Sequence, residues 1–271
     1  MTDAEHLPRL QEHGAEVTDG LPLLLVEGDD PVAAEVAATY AGLAASAPRP
    51  NADNTSSAGD INAILWTSGT TGRSKGVMQC YNNWVRAIVR GASLQFDSQE
   101  GDIIYCMLPL YNSGAWLTSI LRALLEGITV VIERKFSVSH FWERIETFQA
   151  TQTFMRGAMG VFLLNLPEQE SDSETTLRVA QIVPFPPHLW EVFSSRFNCR
   201  LLRTGLGMSE CLLVMTQLDN REDVPTYALG FPPSDVDIAL LDDNARPVEV
   251  GQVGEICIRP LEENVLFKGY F

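Results

Sequence analysis

The chain has 271 residues, 45% hydrophobic and 20% charged, which is long enough to bury a core as one large or two small domains. Its net charge of −16 argues against a nucleic-acid partner, because such binding needs Lys and Arg clustered on the phosphates. Its apolar runs are too short for a membrane span, and the acidic, polar first residues favour a cytoplasmic location. The five cysteines and four histidines lack metal-ligand spacing, which predicts reduced, partly buried thiols.

The first part of the chain, residues 1–43, predicts a small α/β segment that is followed by a linker. Leu21–Val26 has the continuous apolar pattern of a buried strand, and Val32–Leu43 is Ala-rich with helical periodicity. Residues 44–60 are rich in Pro, Ser, Asn and Asp and lack apolar periodicity, which is typical of a surface linker.

Residues 61–224 alternate strand-like apolar runs with amphipathic helices, a pattern that predicts an α/β fold with a parallel sheet flanked by helices. The strand candidates are Ile61–Trp66, Ile103–Leu108, Thr129–Ile132, Thr151–Met155, Val179–Val183 and Arg200–Thr204. Between them, Phe141, Ile145 and Phe148 share one face of a helix predicted over Ser139–Phe148, with Ser139 as its N-cap.

Residues 225–271 have a different pattern, with shorter strands separated by turn residues. Asp235–Leu241 and Val253–Ile258 flank a stretch rich in Asp, Asn, Pro and Gly, which predicts a β-hairpin. We expect this region to be the start of a β-rich subdomain.

A loop rich in glycine and hydroxyl residues follows the strand Ile61–Trp66 and precedes a helix predicted over Asn82–Arg90. Glycines let the backbone approach an anion, hydroxyls donate hydrogen bonds, and a lysine adds positive charge. The strand–loop–helix order favours phosphate binding, although the spacing is not that of a Walker A loop. A polar surface turn is the alternative to a polyphosphate site made by Thr67, Ser68, Gly69, Thr70, Thr71, Gly72 and Lys75.

The segment Thr67–Gly76 resembles the T-S-G-T-T-G-x-P-K-G signature of the adenylate-forming superfamily, which contains acyl-CoA synthetases, luciferases and peptide-synthetase adenylation domains. Ser74 stands where the family has proline, which should loosen the loop slightly without removing a phosphate ligand. The resemblance implies that the loop binds ATP and that Thr70 and Lys75 are catalytic residues.

A second segment, Leu202–Glu210, is similar to the family's Y-G-x-T-E signature. The resemblance implies that Ser209 contacts the phosphate and that Glu210, also catalytic, holds Mg²⁺, which prefers oxygen ligands. Leu206 replaces the family tyrosine that stacks on adenine, and this loss should weaken nucleotide binding by about 1 kcal/mol. The adenine site implied by the resemblance consists of Gly205, Leu206 and Gly207.

Two further segments concern the acid. Leu108–Gly114 resembles the family's P-L-[FY]-H-x-x-G segment, which implies a substrate pocket containing Tyr111 and Asn112, with Asn112 in place of the common histidine. The family's G-G-A-P is replaced by Val183–Pro187, whose proline-rich backbone lacks the same amides, so we expect acid binding to differ or fail. The segment Leu229–Phe271 most resembles carnitine or crotonobetaine CoA ligase-like members.

The resemblance implies a two-step reaction in which a small-molecule carboxylic acid is activated by ATP and Mg²⁺ and then transferred to coenzyme A. The family's Y-x-T-G-D motif, hinge and lysine-bearing C-terminal domain have no counterpart here. We therefore expect a truncated acid–CoA ligase that makes no acyl-CoA alone, with a non-catalytic nucleotide-binding remnant or partner protein as the alternative. An unrelated phosphate-binding enzyme is a third alternative, which the combined motifs disfavour. The sequence leaves open which acid is used and whether the chain forms a homo-oligomer.

Overall fold

The structure, a computed structural model, describes residues 24–25, 38–39, 55–68, 72–217, 224–225 and 228–271. The chain divides into two units, Met1–Thr55 and Ser56–Phe271. In the first unit, β1 (Leu24–Leu25) and β2 (Ala38–Thr39) pair in parallel. The strand prediction is confirmed at Leu24–Leu25, but the helix predicted over Val32–Leu43 is wrong at Ala38–Thr39, where backbone pairing outweighs the weak preference of a short Ala-rich run. The remainder of both predicted elements lies outside the described residues.

A parallel sheet of five strands forms the centre of the second unit, in the order β6-β5-β7-β8-β9. The predicted parallel α/β fold is therefore confirmed, and β7 is the central strand. The predicted strands Ile103–Leu108 and Arg200–Thr204 each end two residues earlier than expected. The five strands are β5 (Ile103–Cys106), β6 (Thr129–Ile132), β7 (Gln152–Arg156), β8 (Val179–Val183) and β9 (Arg200–Leu202).

Three antiparallel strand pairs accompany this sheet among the described residues of the second unit. They are β3 (Ile61–Thr67) with β4 (Lys75–Cys80), β10 (Leu206–Met208) with β11 (Cys211–Met215), and β12 (Val236–Leu241) with β13 (Glu255–Pro260). The β12–β13 pair confirms the predicted hairpin, although its second strand begins two residues later than expected.

Helices follow most strands of the second unit. They are α1 (Tyr81–Ala87), α2 (Ser93–Phe96), α3 (Ser113–Ala115), α4 (Leu121–Glu126), α5 (Phe141–Phe148), α6 (Gly157–Leu164) and α7 (Pro187–Arg196). Two π-helical turns, Ile88–Ala92 and Trp116–Ile120, join α1 to α2 and α3 to α4, and a 3₁₀ turn spans Glu170–Ser173. Among the described residues, no helix combines the length and the apolar character that a membrane span requires.

Side chains on successive residues of the central sheet pack into different apolar clusters, because they point to opposite faces of a strand. Tyr105 and Met155 belong to the largest cluster, whereas the next and previous residues, Cys106 and Phe154, pack in smaller ones. Both faces of the sheet are therefore covered, as is typical of parallel sheets. The largest cluster also contains Phe141, Ile145, Phe193, Phe197 and Ile182.

The helix predicted over Ser139–Phe148 is confirmed in its core-facing role, since Phe141 and Ile145 are buried. The predicted N-cap is wrong, because the helix begins at Phe141 and is preceded by His140, with no side-chain cap. Ser139 instead lies 3.3 Å, between hydroxyl oxygens, from Ser137. Phe148 remains 39% exposed at the helix end, where its ring stacks on Tyr105.

A buried ion pair connects α1 to the start of β12. The guanidinium of Arg86 donates to both carboxylate oxygens of Asp235, at 2.6 and 2.7 Å, and Arg90 donates a further bond at 2.6 Å. Burial raises the pKa of the Asp235 carboxyl, but the hydrogen bond and charges of the two arginines outweigh it and hold the pKa below 3.8. The ion pair thus anchors the hairpin β12–β13 to α1.

We predict that Asp235→Ala lowers the free energy of unfolding by about 3–5 kcal/mol, because it leaves the Arg86 guanidinium buried without its counterion. Asp237→Ala is the matched control, since the Asp237–Arg259 pair is exposed on both sides and should contribute at most about 1 kcal/mol. Urea unfolding followed by circular dichroism measures both. Equal losses in the two variants would contradict a special role for the buried pair.

The same pair predicts a dependence on pH. Because the folded pKa of Asp235 lies below 3.8, its ionised form stabilises the fold above that value, and this stability is lost as the pH falls through the folded pKa. The difference in unfolding free energy between wild type and Asp235→Ala should therefore become smaller as the pH falls. Urea unfolding at a series of pH values measures this difference.

Candidate functional site

The predicted phosphate loop joins two antiparallel strands. Thr67 ends β3 and lies opposite Lys75, the first residue of β4. The strand–loop–helix expectation is therefore wrong, because β4 lies between the loop and α1, which begins only at Tyr81. The hydrophobic face of β4, with Val77 buried, explains the difference: these residues pack as a strand against the core.

Within this loop, Ser68 is exposed and Gly72 has a φ of +85°, a conformation that favours glycine. Apart from its chain neighbours, no heavy atom of the described residues lies within 4 Å of the position a Cβ would take at Gly72. The remaining three loop residues of the predicted site, Gly69, Thr70 and Thr71, lie outside the described residues. Their roles stay predictions.

The last residues of the chain run along β4. The backbone of Met78 both donates to the carbonyl of Gly269 and accepts from the amide of Lys268, at 3.0 and 2.8 Å, and the amide of Phe271 donates to Gly76 at 2.7 Å. This pairing places Tyr270 beside the loop, with the ammonium of Lys75 5.1 Å from the centroid of its ring.

The second predicted motif lies at the turn of the hairpin β10–β11. The Tyr270 hydroxyl donates to Oε1 of Glu210 at 2.9 Å, and the Glu210 carbonyl accepts from the amide of Phe267 at 3.0 Å. The carbonyl of Ser209 accepts from the side-chain amide of Gln79 in β4. Two motifs far apart in sequence thus meet through Tyr270, a residue that the sequence analysis did not assign to the site.

The charges of this cluster are complementary. Lys75 supplies a cation, and Glu210 supplies an anion that holds the tyrosine hydroxyl. The hydrogen bond to Glu210, together with burial and the charge of Glu210, raises the pKa of Tyr270 above 10. This arrangement of a lysine cation and a glutamate anion is consistent with a site for a polyphosphate and a cation.

Glu210 is the carboxylate that could contribute to a magnesium site here. Among the described residues, no group of three or more His, Cys, Asp or Glu side chains could hold a metal by itself. Mg²⁺ is usually held by one or two carboxylates together with substrate phosphates and water, so a single carboxylate beside a phosphate loop fits that chemistry. A metal bound tightly without nucleotide does not fit these residues.

A cleft of about 260 Å³ opens beside the carboxyl edge of the central sheet. It brings together the predicted acid segment, through Asn112, and the predicted adenine segment, Gly205–Gly207. Tyr111 does not line the cleft and is 82% exposed, so the structure separates the two predicted pocket residues. The Oδ1 atom of Asn112 accepts from the amide of Gly114 at 2.8 Å and caps α3.

Two glycines of the adenine segment have a structural reason to be glycine. A Cβ on Gly205 would lie 2.7 Å from the carbonyl oxygen of Met215, and one on Gly207 would lie 2.5 Å from that of Leu212. Leu206 lies between them in β10, opposite Met215. These glycines allow the hairpin β10–β11 to close, which sets the wall of the cleft and the position of its turn.

Several polar residues of the cleft escaped the sequence analysis. Arg156, the last residue of β7, is the only charged residue in the lining that the structure describes. Thr216 is buried, and its hydroxyl has no hydrogen-bond partner in the part of the chain that the structure describes. The signal that could have found Arg156 is its position, since ligands bind at the carboxyl ends of parallel strands.

The proline-rich segment that replaces the family's G-G-A-P contributes Val183, the last residue of β8, to the cleft. The carbonyl oxygen of Pro184 lies so close to Gly157 that a Cβ there would be 1.7 Å away. Phe185 is buried in the core, and α7 begins at Pro187. The segment therefore packs against the core instead of presenting a glycine-rich backbone.

Comparison with known proteins gives consistent matches along the chain. The model of the family described as AMP-binding enzyme matches residues 1–271. Long-chain fatty acid transport protein 1 of Bos taurus is 30% identical over 186 residues, which cover 69% of this chain and 29% of the bovine protein. Crotonobetaine/carnitine–CoA ligase of Salmonella paratyphi B is 29% identical over 216 residues, covering 78% of this chain and 41% of that enzyme.

Solved structures agree with the fold. The O-succinylbenzoate coenzyme A synthetase of Bacillus subtilis, in complex with AMP, is 22% identical and superposes with a TM-score of 0.72, covering 98% of this chain and 54% of that one. The chain thus spans less than half the length of the two sequence relatives and about half of this structure.

The contact between Glu210 and Tyr270 predicts a titration shift that is independent of activity. Glu210→Gln should lower the pKa of the Tyr270 phenol towards 10, because the variant removes the acceptor charge that favours the protonated hydroxyl. Carbon NMR of ring-labelled tyrosine measures this pKa. The signal that is lost in Tyr270→Phe identifies Tyr270 among the six tyrosines. An unchanged titration in Glu210→Gln would exclude the contact.

Proposed function

Because this chain belongs to the AMP-binding enzyme family, we propose that it activates a carboxylic acid with ATP, the first of the two steps by which an acid–CoA ligase passes the acyl group to coenzyme A. The observation that carries the proposal is the meeting of Lys75, Tyr270 and Glu210 beside the loop, within the unit that holds the cleft at the sheet edge. Coenzyme A as acceptor is supported by relatives whose names describe CoA ligases.

In the first step, a carboxylate oxygen of the acid bonds to the α-phosphorus of ATP while the bond to the β-phosphate breaks and pyrophosphate leaves. In the second step, the sulfur of coenzyme A bonds to the acyl carbon, AMP leaves and the thiol proton is lost. Such chemistry depends on positioning and charge neutralisation, which the protein can supply without a nucleophile.

We assign the phosphates to the loop between β3 and β4. Lys75 neutralises phosphate charge from the start of β4, and the hydroxyls of Thr67 and Ser68 donate hydrogen bonds, with Thr70 and Thr71 assigned from the sequence alone. Ser209 contacts the phosphates from the turn of β10–β11. Glu210 is the residue that would hold Mg²⁺, and the bound metal would neutralise phosphate charge.

The nucleotide and the acid are assigned to the cleft. Gly205, Leu206 and Gly207 form the wall that receives adenine, and their hairpin carries the phosphate-facing turn at its other end. The acid occupies the part lined by Asn112 and the apolar side chains, while Tyr111 lies outside it. In this proposal the carboxylate of the acid faces the α-phosphate.

Acid-dependent exchange of labelled pyrophosphate into ATP tests the first step. We expect exchange in the wild type, and Lys75→Ala should weaken ATP binding by about 1.5–3 kcal/mol through the loss of a charge-assisted contact. Lys135→Ala is the matched control, because the substitution removes the same charge from an exposed lysine that is not part of the loop. Nucleotide binding without any acid-dependent exchange would favour the non-catalytic nucleotide-binding protein.

The role of Glu210 predicts a change in metal dependence. Glu210→Gln should keep the fold and remove the Mg²⁺ dependence of ATP binding, because an amide is a poorer ligand than a carboxylate. Calorimetric titrations of ATP with and without Mg²⁺ compare the two proteins. If wild type and variant respond equally to the metal, Glu210 has only a structural role.

A further inference from the structure

The guanidinium of Arg156 points to a specific class of acid. Arg156 is the last residue of the central strand of the sheet, and it is exposed. It lines the cleft beside apolar residues that include Phe154 and Leu117. We propose that the acid accepted here carries a second anionic group, remote from the carboxylate that is activated, and that Arg156 binds it. This inference rests on the proposed function, because it names the substrate class of the same site.

Arg156 has no ion pair or hydrogen bond from its side chain among the residues that the structure describes. Other arginines of the second unit are matched to carboxylates: Arg86 to Asp235, Arg122 to Glu126, Arg144 to Glu133, Arg178 to Asp102 and Arg196 to Asp172. A guanidinium has five N–H donors and no acceptor, so its natural partner is a carboxylate or a similar anion. In a chain of net charge −16, a cation left unpaired in a cleft is available for a ligand.

The sheet order places Arg156 nearer to the acid than to the nucleotide. Strand β7 is adjacent to β5, which leads into the segment of Asn112, whereas β9, which leads to Gly205, lies two strands away. With strands spaced about 4.8 Å apart, the nucleotide segment starts roughly twice as far from Arg156 as the acid segment does. The geometry therefore assigns the guanidinium to the acid part of the cleft.

The anion bound by Arg156 differs from the reacting carboxylate. A bidentate bond to arginine would occupy the oxygen lone pairs that must attack phosphorus, and would stabilise the ground state more than the transition state. A second anionic group lets Arg156 hold one end of the acid while the other end faces the α-phosphate. The apolar residues of the lining then contact the carbon chain between the two ends.

Calorimetry with paired probes tests the inference. Succinate and glutarate are titrated against butyrate and valerate, which have the same carbon chains with a single carboxylate. We expect the wild type to bind each dicarboxylate roughly tenfold more tightly than its partner, the effect of one charge-assisted pair. Arg156→Gln should abolish this preference, and Arg156→Lys should retain part of it through the remaining charge.

Arg246→Gln is the matched control, because Arg246 is exposed in the turn of β12–β13 and does not line the cleft. It should keep the dicarboxylate preference. Absence of the preference in the wild type, or its persistence in Arg156→Gln, overturns the inference. So does a loss of AMP affinity in Arg156→Gln with the acid preference unchanged, since the guanidinium would then serve the nucleotide.

The two proposals fail separately. If the wild type prefers dicarboxylates but shows no acid-dependent pyrophosphate exchange, the anion site is supported and the proposed activity is overturned. If the wild type exchanges pyrophosphate equally well with butyrate and succinate, and binds both acids equally, the activity is supported and the assignment of Arg156 is overturned.

Discussion

The parallel register of the central sheet is the constraint on which the cleft depends. Because β5 to β9 all run in the same direction, the residues that follow them emerge at one edge. Segments separated by many residues in sequence, those of Asn112, Arg156, Val183 and Gly205, therefore line a single cleft. Covering both faces with helices keeps this edge as the open side of the sheet.

A second set of backbone contacts positions the polar cluster beside the loop. Residues 268–271 pair with β4, and this places the ring of Tyr270 between the ammonium of Lys75 and the carboxylate of Glu210. The buried pair of Arg86 and Asp235 anchors the hairpin β12–β13 to α1 in the same unit. The hairpin β10–β11 joins the cluster to the cleft, because its strand β10 lines the cleft and its turn carries Glu210.

The distribution of charge distinguishes paired from unpaired cations. Arginines that hold the fold are paired with carboxylates at short distance, and their burial makes that pairing necessary. Lys75 faces an aromatic ring, and Arg156 lines the cleft without a carboxylate partner among the described residues, so both retain donors for an anionic ligand. The proposed site uses one of these cations for the phosphates of ATP and the other for the acid.

The sequence by itself determined the α/β class, the positions of the central strands and the two motifs, because these features depend on local apolar periodicity and on residue types at close spacing. It could not reveal that a strand separates the loop from α1, since Lys75–Cys80 is short and its buried positions include the polar Gln79, which leaves no clear apolar pattern. It also could not place Tyr270 against Glu210 or exclude Tyr111 from the cleft. Those contacts are decided by strand order and by pairing between distant segments, which only the tertiary structure specifies.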